Sequence, residues 1–165
     1  MSVFEEGRKE LMGVIDEIPE DLVHSRVSVN SWSVLEILEH LVLIEKVITK
    51  QCEHLICQGV DTETPDHPVY RSGKRYPVVE APEYVRPIGR YRSMDEAKIA
   101  LQQSRNKLIQ VLEDIEDPTL LERRAFSHPV FGPMKLTQWI DFIGYHERRH
   151  IDQIKEIIKR NRPSA

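Results

Sequence analysis

The stretch from Lys135 to Arg160 limits the possible folds of this chain more than any other. Its apolar residues Phe142, Ile143, Ile154, Ile157 and Ile158 recur at helical and not at strand spacing, which predicts one long amphipathic helix. A helix of that length buries its stripe only against other long elements, so helical partners are expected elsewhere in the chain.

His146 and His150 lie four apart on this helix. Residues i and i+4 point the same way from neighbouring turns, and both histidines fall on the stripe of Ile143, Ile154 and Ile157. Two neutral imidazoles one turn apart form a bidentate clamp for zinc, nickel, iron or copper. The plainer reading is a pair of ordinary core histidines.

Upstream, Phe4, Leu11, Val14, Ile15 and Ile18 mark a first helix that stops before Pro19. A second helix is predicted from Ser33 to about Cys57, opened by a Ser33–Glu36 capping box. Ile37, Leu41, Ile44 and Ile48 form its buried stripe, with His40 facing inward beside it. Residues 59–92 hold Pro65, Pro68, Pro77, Pro82 and Pro87 with Gly59, Gly73 and Gly89, and read as a long irregular crossover. Ser93 and Glu96 suggest a second capping box, opening a third helix that runs to Asp117-Pro118. Residues 118–134 read as a loop, with Phe126, His128 and Phe131 covering one end of the bundle and His128 as a turn residue. The expected fold is all-α: a four-helix bundle in a single domain over residues 1–165. The crossover is long enough to run back along a helix, since extended chain covers about 3.3 Å per residue against about 1.5 Å in helix. Helices 2 and 3 are therefore candidates for a parallel pair.

A hydrophobic fraction of 40% over 165 residues supports one substantial core. With 23 basic against 27 acidic residues the net charge is −4, so neither nucleic acid nor a membrane is an expected partner. The N-terminus lacks an apolar run, and a soluble, cytoplasmic protein is expected. Cys52 and Cys57, five apart, match no redox or zinc-ribbon spacing and are expected as reduced, core or half-buried thiols.

His146-Glu147-Arg148-Arg149-His150 also fits HExxH, in which the glutamate is a general base, so Glu147 is a candidate catalytic residue. The extended protease version fails, because Gln153 stands where glycine is required and Glu156 where histidine is. A third metal ligand has to come from upstream, and His40 is the best placed. Three histidines with an open position describe a catalytic rather than a structural site. Because imidazole binds metal only when neutral, affinity is expected to weaken as pH falls through about 6.5. Gln153, three past His150, is placed either to hydrogen-bond it or simply to pack beside it. Trp32 and Trp139 are expected as packing anchors.

The ordered set Trp32-Ser33, Glu36-Ile37, His40-Leu41, then His128-Pro129, Phe131-Gly132, then Trp139, His146, Arg149-His150 and Gln153 resembles the DinB/YfiT-like superfamily along nearly the whole chain. The resemblance implies an up-down-down-up bundle and a divalent metal, zinc or nickel, held by His40, His146 and His150. It further implies a small-molecule substrate, met either by transfer of a low-molecular-weight thiol or by metal-dependent hydrolysis. A non-catalytic stress-response module that binds metal or ligand is the alternative. Family members often form homodimers. A homodimer is also suggested by Leu38, Val42, Val47 and Leu55, apolar residues of helix 2 outside its main stripe.

Overall fold

Serine side chains start three of the four long helices. Ser2 caps α1 (Val3–Ile15) and Ser33 caps α2 (Val34–Gln58), each in a complete capping box with the glutamate three residues on. Ser93 caps α3 (Met94–Glu113), but only half of the expected box forms: the Ser93 hydroxyl accepts from the Glu96 amide, while the Glu96 carboxylate takes the Arg92 amide. The computed structural model describes residues 1–75 and 79–162 and is mostly helical; Pro77 of the crossover lies outside the described residues. A short helix, α4 (Leu120–Arg123), and an antiparallel hairpin, β1 (Ala125–His128) with β2 (Gly132–Lys135), lead into α5 (Leu136–Asn161).

The hairpin and α4 correct the expectation of an unbroken loop over 118–134. Strands of four residues paired only with each other are too short for a period-two pattern to stand out. The turn depends on Gly132 at φ +75, a backbone that side chains with a Cβ rarely adopt. The Trp139 indole donates to the Phe126 carbonyl at 3.1 Å and its ring stacks on Phe126 at 4.0 Å, tying the hairpin to the first turn of α5.

The core has two apolar clusters. Leu11, Ile15, Ile37, Leu41, Leu101, Ile154 and Ile157 form the first, and Phe4, Ile48, Leu108, Met134, Leu136 and Ile143 the second. Each such side chain contributes about 1.5–3 kcal/mol on burial. Leu38 and Val42 are buried within the chain, which removes them as surplus apolar surface; Val47 and Leu55 are half-buried. Cys52 is buried and Cys57 is exposed rather than half-buried, both free thiols. Among the described residues no helix is long and apolar enough to cross a membrane.

Where α1 crosses α5 the backbones touch. A Cβ on Gly144 would lie 2.2 Å from the Val3 carbonyl oxygen, and one on Gly7 2.6 Å from that of Gly144. Only glycine fits this crossing, which brings Arg8 of α1 over α5. Arg8 and Arg105 of α3 then converge on two carboxylates between the clusters. Arg105 bonds Glu45 at 2.8 Å and Glu147 at 2.9 Å, Arg8 bonds Glu147 at 2.9 Å, and the Ser104 hydroxyl donates to Glu45 at 2.6 Å. All four long helices meet in this network.

Candidate metal centre

α2 presents His40, and α5 presents His146 and His150, so each imidazole is carried by a rigid element. His40 Nδ1 lies 2.7 Å from the Val85 carbonyl, and His150 Nδ1 lies 2.8 Å from Gln153 Oε1. Both acceptors require the proton on Nδ1, which leaves the lone pair on Nε2. His146 Nε2 stands 3.4 Å from His40 Nε2 and 3.1 Å from His150 Nε2. One ligand atom from each of the three histidines lies within 4.8 Å of the others.

That arrangement is unfavourable for a protein alone. At least two of the three facing nitrogens carry no proton, and His146 has a single Nε2 proton with which to bridge two neighbours. A divalent cation accepting three lone pairs resolves the conflict, and the donor set suits zinc, nickel, copper or iron. The three residues fit a metal.

Burial governs their protonation. Desolvation first, then the Arg149 cation, pushes the His40 pKa down to about 4 even though the Val85 carbonyl works in the opposite direction. His150 falls to about 3 for the same leading reason, with the His40 charge next, and His146 lies well below the usual range. These neutral rings correct the expected onset of proton competition near pH 6.5. Desolvation holds all three folded rings neutral well below that pH, so proton competition sets in lower than expected.

The surrounding side chains hold the rings in place. Trp32 lies 4.8 Å from the His40 ring centre, and Phe142 stacks on His146 at 5.0 Å. Trp32 is therefore part of the site as well as a packing anchor. His146 borders a cavity of about 1110 Å³ that His40, His150, Gln153, Trp32 and the hairpin residues also line. Arg149, bonded to the Lys74 carbonyl at 2.7 Å, and Arg75, ion-paired with Glu156, line the same cavity. A second depression of about 750 Å³, between residues 61–65 and 122–123, contains no histidine.

Glu147 is not part of this grouping. Each residue of a helix advances by about 100°, so the position after His146 turns toward α1 and α3. There its carboxylate is 1% exposed and held by Arg8 and Arg105, and it does not line the cavity. Burial raises its pKa, with the two guanidinium groups opposing the shift. The general-base role suggested by HExxH lacks its geometry here, because the base has to reach the reacting proton. His24 and His54 are exposed and His67 bonds the Pro133 carbonyl, all outside the cluster. Sequence reading passed over the Val85 carbonyl, since a backbone acceptor in an irregular crossover carries no residue signature.

The chain as a whole is similar to known proteins. The chain is 29% identical over 157 residues to the uncharacterised protein YuaE of Bacillus subtilis (strain 168), covering 95% of this chain and 96% of that protein. In fold it is similar to TT2238, described as a four-helix bundle protein, with a TM-score of 0.64 at 19% identity over 93% of this chain and 94% of the other. It is also similar to an uncharacterised protein from Escherichia coli UTI89, with a TM-score of 0.59 at 14% identity over 99% and 92%. The sequence pattern of the DinB superfamily matches residues 4–154, which contain all three clustered histidines, and the chain belongs to the DinB superfamily.

Proposed function

We propose that the protein is a metal-dependent enzyme that transfers a low-molecular-weight thiol to an electrophilic small molecule. The observation that supports this most directly is the convergence of three Nε2 atoms at the wall of a cavity large enough for a small molecule. His40, His146 and His150 would hold a divalent metal, zinc or nickel, whose Lewis acidity lowers the pKa of a thiol or water reaching the open position. Val85 and Gln153 keep the imidazoles oriented, and Trp32 and Phe142 pack against the His40 and His146 rings. With Glu147 locked behind the histidines, the nucleophile favoured is one that ionises readily, and a thiol at about 8.5 does so far more easily than water. The thiol proton leaves to solvent, and the sulfur forms its bond to the electrophilic carbon as the leaving group departs.

The same reading includes an up-down-down-up order of the long helices. Glu39, Glu45 and Glu53 of α2 pair in chain order with Arg90, Arg105 and Lys107, which supports a parallel α2–α3 pair.

The test is incubation of metal-loaded and metal-free protein with low-molecular-weight thiols and a haloarene. Thiol-dependent consumption above the metal-free background is expected. Consumption without thiol would make the protein a hydrolase, and no turnover over a broad panel of electrophiles would leave a binding module.

A pH dependence follows from the buried rings. Unfolded histidines take up protons at about 6.5, whereas folded His40 does so at about 4 and His150 at about 3. Between about pH 6.5 and 4 the unfolded chain binds protons that the folded chain refuses, so stability rises with pH across that window and is lost on acidification. Urea unfolding of the metal-free protein is expected to show a level stability above about pH 7 and a decline from about 6.5. Zinc affinity of the folded chain, read by calorimetry, is expected to change little between about pH 7.5 and 5.5 and to collapse near 4.

A further inference from the structure

His128, at the end of β1, is 9% exposed and sits in an aromatic frame, 4.8 Å from Phe142, 4.9 Å from Phe131 and 5.0 Å from Trp139 between ring centres. Its Nδ1 accepts the Val130 amide at 3.0 Å and the Phe131 amide at 3.3 Å. A backbone N–H can only donate, so Nδ1 carries a lone pair and the proton of the neutral ring is on Nε2. Nε2 lies on the ring edge away from the turn, and among the described residues it has no hydrogen-bond partner. The ring lines the cavity that the three clustered histidines border.

The turn thus takes up the one lone pair that the neutral ring has, and His128 cannot be a fourth metal ligand in this tautomer. What it offers the cavity is a single neutral donor. We propose that His128 Nε2–H binds an oxygen acceptor, a carbonyl or carboxylate, on the small molecule that occupies this cavity, whose apolar part lies against Phe131 and Trp139. Burial, followed by the charge of His67, pushes the ring's pKa down to about 4, so the donor stays neutral at physiological pH. The Gly132 turn and the hairpin hold it in place. The proposal deepens the small-molecule reading of the same cavity and does not depend on which metal is bound.

The probe is benzoate, added to protein with ¹⁵N-labelled histidine in zinc-free and zinc-loaded forms. His128 is expected as the Nε2–H tautomer, and benzoate is expected to move its Hε2 resonance. His128→Asn keeps an acceptor where Nδ1 serves the turn but does not reach the cavity; benzoate affinity should fall about fivefold, the size of one neutral hydrogen bond. His128→Gln places an amide N–H near the lost Nε2 and should recover most of that loss. Zinc stoichiometry should be the same in all three proteins. An Nδ1–H tautomer, an unmoved Hε2 resonance up to the solubility limit of benzoate, or equal affinity in the wild type and His128→Asn would each overturn the proposal. Failure of the wild type to bind zinc sinks the metal reading instead, and the zinc-free titration then decides His128 alone.

Discussion

Replacing His40, His146 or His150 with alanine is expected to lower zinc or nickel affinity by more than about 100-fold in each case, because loss of a direct ligand, the role proposed for each, exceeds the 10–100-fold typical for loss of a supporting group. The supporting groups give the internal scale. Gln153→Ala removes the acceptor at 2.8 Å from His150 Nδ1 and should fall within that lower range. His24→Ala and His54→Ala should change nothing, as both side chains are exposed. Calorimetry with each metal, together with circular dichroism to verify an unchanged helical signal, is the measurement. Full stoichiometric metal at unchanged affinity in His40→Ala would make His40 a core histidine that packs under Trp32.

Arg105→Leu destabilises the metal-free protein by about 3–5 kcal/mol, the cost of removing one partner from a buried charge network. Arg105 is 5% exposed and bridges Glu45 and Glu147, each 1% exposed, and in its absence, among the described residues, only Arg8 remains for Glu147 and only Arg8 and Ser104 for Glu45. Among the described residues one oxygen of Glu147, Oε2, is buried without a partner, so the network has no reserve there. The double variant Arg105→Leu with Glu45→Leu should lose less than the sum of the single losses, because the two removals share an interaction. Denaturant unfolding at neutral pH provides the numbers. A loss below about 1 kcal/mol in Arg105→Leu would mean that the carboxylates are held mainly by Arg8.

His146 and Glu147, the residues behind these two effects, are neighbours whose side chains leave α5 about 100° apart and reach different surroundings. The HExxH pattern treats them as one unit. It is written in sequence positions, and its catalytic meaning requires the glutamate to share a cleft with the histidines. In this chain Gly7 and Gly144 let α1 approach α5 to backbone contact, and Arg8 comes with it. A motif that fits by spacing is thereby divided between a candidate metal centre and a structural ion network.

What the sequence by itself determined is what local rules control. The helix starts at Ser33 and Ser93 depend on a side chain and an amide three residues apart, and both form where the residues predict them. The i, i+4 placement of His146 and His150, the inward face of His40 and the nearness of Gln153 to His150 follow from helical periodicity alone. Only the tertiary structure decided where separate elements meet. The Val85 carbonyl reaches His40 across a crossover with no repeating pattern. Arg8 and Arg105 claim Glu147 from two other helices, and Leu38 and Val42 find partners inside the chain. His128, which reads as a turn residue, does serve the turn through Nδ1, while its ring also borders the cavity that holds the histidine cluster. Periodicity carries information over a few residues, whereas the contacts of Val85 with His40 and of Arg105 and Arg8 with Glu147 bridge 45, 42 and 139 residues and depend on how the helices pack.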